Sequence, residues 1–183
     1  MNLPNKLTLF RIVLIPFFIA FSLTPGTVCQ WIALVLFVVA SLTDLLDGKI
    51  ARKYNLITDF GKFMDPLADK LLVCAGLTLL VDQSMMSVWA LFLIVVREFI
   101  VTGLRLIASG KGVVIAAGKS GKAKTMLQMI VLVWALIPLP LGLDYRIGLV
   151  SIMDILVFLM VLITIISGLE YIVVNRKLLL ESK

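Results

Sequence analysis

The sequence predicts an all-α protein, an integral membrane bundle of six transmembrane helices with both termini in the cytoplasm. Three observations predict it. Of the 183 residues, 61% are hydrophobic and 15% charged, and the mean hydropathy is +1.12. That composition belongs to polytopic membrane proteins rather than soluble domains. The apolar residues fall in six runs, each long enough for a span of about 20 residues. The basic residues gather in alternate connections, as membrane topology requires. Little chain is left over for a soluble domain, so residues 1–183 read as one domain.

The first run is Leu7–Leu23, broken by Arg11 and ended by the turn Thr24-Pro25-Gly26. Lys6 and Arg11 before an apolar stretch imitate a signal peptide, with Ala20-Phe21-Ser22 as a marginal cleavage pattern. The membrane character of everything that follows argues for a retained span instead. Span 2 runs from about Trp31 to Arg52 and span 3 from about Lys62 to Val81. A polar turn at Asp82–Ser87 leads into span 4, Val88–Ala108. Ser109–Lys124 is a loop rich in Gly and Lys. Span 5 runs from Thr125 to Leu141, with Pro138 and Pro140 at its end. A turn at Asp144–Gly148 precedes span 6, Leu149–Val174, and a short polar tail follows.

With six spans, one side of the membrane receives Lys6, Arg11, Lys49, Arg52, Lys53, Lys62 and Lys70, the lysines between spans 4 and 5, and the C-terminal basic residues. The other side receives Arg146 alone. The basic side is cytoplasmic. The net charge of +6 is thereby spent on topology, and a nucleic-acid partner is not expected. The two cysteines, Cys29 and Cys74, are unpatterned and form no disulfide framework.

Ionisable groups inside a membrane are functional candidates by default. The stretch Asp44–Asp69 holds four of them at helical spacings: Asp44 with Asp47, and Asp65 with Asp69. Spacings of three and four put residues on one helical face. Asp44, Asp47, Gly48 and Ala51 share one face, and Gly61, Asp65 and Asp69 share another. Asp44 is 13 residues from Trp31, and Asp69 is 13 from Asp82. At a rise of about 1.5 Å per residue, both pairs lie roughly 20 to 25 Å from the outer surface. Two adjacent antiparallel helices would bring the four carboxylates together just inside the cytoplasmic boundary.

Four carboxylates at one level repel one another. Protonation or one or two divalent cations would relieve this. Histidine is absent, so ligation must come from oxygens, which suits Mg2+, Mn2+ or Ca2+. Such ions can clamp a phosphoryl group. Gly48, Ala51 and Gly61 leave room for a ligand to approach backbone, or serve close helix packing. Arg52 is placed to bind phosphate oxygens.

The order Asp44-x2-Asp47-Gly48-x2-Ala51-Arg52-x8-Gly61-x3-Asp65-x3-Asp69 resembles the signature of the CDP-alcohol phosphatidyltransferases at every defined position. The resemblance implies a homodimeric enzyme of the bacterial cytoplasmic membrane that displaces CMP from a CDP-linked lipid with an alcohol. It implies two divalent ions, Mg2+ or Mn2+, among Asp44, Asp47, Asp65 and Asp69. It makes Asp69 the general base on the acceptor hydroxyl, and lines the CDP site with Gly48, Ala51, Arg52 and Gly61.

Other stretches bear on the acceptor. The opening Asn2–Arg11, the run from Phe60 to Val73, the segment Arg97–Arg105 and the loop Gly118–Lys124 are similar to bacterial members of that family whose donor is CDP-diacylglycerol and whose acceptor is sn-glycerol 3-phosphate. Charge points the same way, since a phosphate dianion beside an acidic site needs cations. Arg97 and Arg105 share a face of span 4. Arg105 with Lys119 and Lys122 is the expected seat of the acceptor phosphate, with a positive-inside anchor as the alternative role of the lysines. Thr8 and Arg11 either reach the nucleotide or anchor the N-terminus. Glu98 reads as structural, and Asp154 and Glu170 receive no role. Gly118-Lys119-Ser120 is no P-loop, because Val113 stands where the first glycine is required.

Three rival readings remain: the same family with inositol phosphate or serine as acceptor, a small cation or proton transporter, and a non-enzymatic assembly subunit. A transporter gives no reason for the Gly48, Ala51, Arg52 and Gly61 set, and no inverted repeat is visible.

Overall fold

A computed structural model describes residues 3–53, 59–110, 118–137, 146–147 and 150–176. These residues form six helices: α1 (Leu3–Leu23), α2 (Thr27–Lys53), α3 (Asp59–Asp82), α4 (Val88–Gly110), α5 (Lys119–Leu136) and α6 (Ile152–Val174). They also form one short pair of strands, β1 (Arg146–Ile147) and β2 (Val150–Ser151). Segments of α1, α2 and α6, namely Asn5–Leu23, Thr27–Asp44 and Ile152–Val174, are long and apolar enough to cross a membrane. The other helices carry more charge: α3 has Asp65 and Asp69, α4 has Arg97, Glu98 and Arg105, and α5 opens with its lysines.

The chain divides into two compact units. The first is Met1–Asp82 with Leu132–Leu143. Within it α1 is the hub, packing along α2 and against α3, while α2 and α3 touch each other much less. The buried face of α1 repeats at helical spacing: Asn5, Thr8, Arg11, Ile15 and Phe18. Its N-terminal half is polar and its C-terminal half apolar. Phe18 meets Phe37 of α2, ring centroids 5.4 Å apart, and Ala33 and Ala40 on the same α2 face are also buried. Small side chains there let α1 come close. The turn into α2 needs Gly26, whose φ of 126° is a conformation that L side chains rarely adopt. Thr24 closes the end of α1 by donating its hydroxyl to the Ala20 carbonyl at 2.8 Å. On α3, Gly76 lies directly beneath the Leu132 side chain.

The second unit is Gln83–Val131 with Asp144–Lys183, in which α4 packs on α6. Ile94, Val101 and Ala108 recur every two turns as the buried stripe of α4. The strands pair antiparallel, Arg146 opposite Ser151 and Ile147 opposite Val150, where the sequence suggested only a turn. The expected turn residues 144, 145 and 148, the span residue Leu149, the loop residues 111–117, the proline-marked end of span 5 and the tail from Lys177 lie outside the described residues. Ser151 caps α6: its hydroxyl accepts from the Asp154 amide at 3.1 Å while the Asp154 carboxylate accepts from the Ser151 amide at 2.9 Å. This capping box is the role of Asp154 that the sequence left open. The helix α5 begins six residues before the expected Thr125, so Lys119, Lys122 and Lys124 lie on the helix rather than in the loop.

Candidate active site

In the first unit the acidic residues are positioned by α1. Thr8 and Arg11 lie three residues apart, about one turn along one face. The Thr8 hydroxyl donates to Asp65 Oδ1 at 2.5 Å. The Arg11 guanidinium donates through one terminal nitrogen to Asp44 Oδ1 at 2.6 Å and through Nε to the Ala40 carbonyl at 3.2 Å. Arg11 is fully buried, while 34% of the Asp44 side chain stays accessible. A carboxylate from α2 and one from α3 are thus fastened within one turn of each other, on the helix that packs against both. Asp44 and Asp65 are each tied to α1, through residues one turn apart, where the sequence suggested simple apposition of two helices. The signal for Arg11 was in the sequence, as a charge interrupting an apolar run.

Asp69 follows Asp65 by one turn of α3 and is exposed, and Gly61 is buried one turn before Asp65. Pro66 sits inside α3 between the two aspartates and has no N–H to donate to the carbonyl four residues earlier. Asp47, Gly48, Ala51 and Arg52 continue α2 beyond Asp44. Their side chains, and that of Lys119, lie outside the described residues.

Among the described residues no three His, Cys, Asp or Glu side chains form a metal-holding group. The donors that are described nevertheless fit a hard cation. Asp44 and Asp65 offer only carboxylate oxygen, both within a turn of one α1 face, and the chain has no histidine to compete. Asp47 and Asp69 extend the same helical faces.

The second unit holds the expected acceptor-binding residues. Arg105 is exposed and lies over the Tyr171 ring, 5.6 Å from its centroid, with Nε donating to the Tyr171 hydroxyl at 3.4 Å. Lys122 is exposed. Its neighbour Lys124 is instead buried, donating to Glu98 Oε1 at 2.6 Å. Glu98 also accepts from Arg97 at 2.9 Å, and Arg97 reaches across to the Ser167 hydroxyl of α6 at 3.0 Å. Glu98 therefore neutralises two cations at once, which agrees with its structural reading. Gly168 makes room for this arrangement: a Cβ there would stand 2.9 Å from Arg97 Cγ. Neither Lys124 nor Ser167 was singled out from spacing alone, because partners on three different helices leave no local pattern.

Comparison with known proteins finds one family model, CDP-alcohol phosphatidyltransferase, matching residues 1–167. A Bacillus subtilis (strain 168) protein is 43% identical over 182 residues, covering 93% of each chain. One from Rickettsia bellii (strain RML369-C) is 41% identical, again over 93% of each. One from Shigella flexneri serotype 5b (strain 8401) is 37% identical over 98% of each. All three relatives bear the name CDP-diacylglycerol--glycerol-3-phosphate 3-phosphatidyltransferase.

Proposed function

Because the chain belongs to the CDP-alcohol phosphatidyltransferase family, we propose that it transfers the phosphatidyl group of CDP-diacylglycerol to sn-glycerol 3-phosphate, giving phosphatidylglycerol phosphate and CMP. The observation that carries this reading is the near full-length similarity to relatives named for that reaction. The acidic residues fastened to α1 supply the chemistry it needs.

In this proposal all six helices cross a bacterial cytoplasmic (inner) membrane, with both termini and the acidic turns on the cytoplasmic side, and two copies form a homodimer. The basic connections support the orientation. Asp44, Asp47, Asp65 and Asp69 hold two divalent cations, Mg2+ or Mn2+. Bound there, such ions would supply positive charge against the diphosphate and the departing CMP oxygen. Gly48, Ala51, Arg52 and Gly61 line the nucleotide site. An apolar groove of about 530 Å³ begins at Ile12 and Leu71, adjacent in sequence to Arg11 and two residues past Asp69. It gives an acyl chain a path away from the acidic turns.

Asp69 takes the proton of the acceptor hydroxyl. The freed oxygen attacks the phosphorus attached to diacylglycerol, a new P–O bond forms, and the bond to the CMP oxygen breaks. A single displacement is the simplest route, and the chain has no histidine to activate a covalent nucleophile. Arg105 and the lysines at the start of α5, Lys119 and Lys122, bind the acceptor phosphate. The test is purified enzyme with CDP-diacylglycerol and each alcohol in turn. CMP release with sn-glycerol 3-phosphate supports the proposal. Release with serine or inositol phosphate, but not with glycerol 3-phosphate, overturns the acceptor.

A further inference from the structure

The hydrogen bonds from α1 raise a question that the transfer reaction leaves open. A hydroxyl and a guanidinium sit on the very carboxylates proposed to hold cations. An arginine beside a ligand carboxylate competes with the metal if it can swing, but Arg11 cannot. It is fully buried, and its Nε is spent on the Ala40 carbonyl. That carbonyl also accepts from the Thr43 hydroxyl at 2.7 Å, so the anchor point is itself held. One terminal nitrogen is thereby aimed at one oxygen of Asp44. Thr8 is likewise buried and takes one oxygen of Asp65. In both cases one carboxylate oxygen is engaged, and the donor comes from the same face of α1.

We propose that Thr8 and Arg11 are positioning residues. Each binds one oxygen of a carboxylate and fixes the rotation of that group, so that the second oxygen of Asp44 and of Asp65 is turned to a divalent cation. The inference rests on the proposed function, because it assumes that these aspartates are ligands. Partners of this kind orient carboxylate ligands much as hydrogen-bonded carboxylates orient metal-bound imidazoles. Arg11 has a second effect. Its positive charge lowers the mutual repulsion of the carboxylates before any ion arrives, at the cost of some attraction for the ion. Thr8 carries no charge and acts through orientation alone, which makes it the cleaner probe. Neither residue needs to touch substrate.

The test uses the full-length chain purified in detergent, with Mn2+ as the probe and the free-ion electron paramagnetic resonance signal as the readout. Three variants are compared: Thr8→Val, which keeps shape and removes the donor; Thr8→Ser, which keeps the donor; and Arg11→Lys, which keeps charge and loses the fork. Thermal unfolding is measured alongside. We expect Thr8→Val and Arg11→Lys to weaken Mn2+ binding by about tenfold or more, and Thr8→Ser to bind like the parent. If Thr8→Val binds Mn2+ as the parent does and only its melting temperature falls, the contacts are structural. The positioning role is then overturned, with the proposed function untouched. If the parent chain binds no Mn2+, both fail together. Should Arg11→Lys not fold, the two Thr8 variants decide alone.

Discussion

At the scale of single residues, the account turns on Arg11 and Asp69. Arg11 is a fully buried cation whose partner, Asp44, keeps 34% of its side chain accessible. Truncating one member of a buried ion pair strands the other. Arg11→Ala is expected to cost about 3 kcal/mol, the lower end for a buried pair because Asp44 remains partly solvated. Thermal unfolding in detergent measures it. Asp69, exposed on α3, is the proposed general base. Asp69→Asn is expected to reduce turnover by at least about 100-fold, the usual contribution of a general base, and single-turnover CMP release measures it. For the acceptor, Arg105→Ala is expected to raise the KM for glycerol 3-phosphate by about tenfold or more, the loss of one charge-assisted hydrogen bond. The KM for CDP-diacylglycerol should stay the same. An unchanged glycerol 3-phosphate KM removes Arg105 from the site and leaves it as the partner of Tyr171.

At the scale of elements, what could be read in advance followed the physics of local pattern. Helix-period spacing placed the aspartate pairs on α2 and α3, and hydropathy found α1, α2 and α6 within a few residues of their ends. The hub role of α1 was not legible. Its buried face, Asn5, Thr8, Arg11, Ile15 and Phe18, changes from polar to apolar along its length, so no uniform stripe announces it. The Lys124–Glu98–Arg97–Ser167 chain was hidden for a related reason, since its members are distant in sequence and meet only when α4, α5 and α6 are packed. The start of α5 was missed because Gly and Lys read as loop, although helix carries straight through them from Lys119. The α4–α6 contact yields its own prediction. A methyl at Gly168 would meet Arg97 Cγ, the stem of the side chain rather than its mobile end. Gly168→Ala should therefore displace Arg97 from Ser167 and destabilise the protein by about 1 to 3 kcal/mol, as overpacking does. Gly76→Ala meets the two terminal methyls of Leu132, at 2.9 and 3.3 Å, the far end of a side chain that can rotate, and should cost less in the same unfolding assay.

At the scale of the whole molecule, composition alone pointed to a membrane protein rather than a soluble one, and the alternation of basic connections supports the orientation proposed. The 26 residues from Asp44 to Asp69 carried the family, while the acceptor was marked more diffusely, by the stretches Asn2–Arg11, Phe60–Val73, Arg97–Arg105 and Gly118–Lys124, and agrees with the names of relatives similar over nearly the whole chain. That division is physical. The diphosphate chemistry needs a few carboxylates at fixed helical spacing, which leave a short linear mark. Recognition of a small alcohol draws single residues from several helices and leaves only a scattered one. The central claim is that carboxylates on neighbouring helices, held to α1, cleave a lipid-linked diphosphate with the help of a divalent cation. The most direct measurement is CMP release from CDP-diacylglycerol and glycerol 3-phosphate by the purified chain in detergent, where no membrane potential exists, before and after chelation. Release that stops on chelation and returns with Mg2+ or Mn2+ is the predicted result. Release that continues unchanged without divalent cations, or no release under any condition, would contradict it.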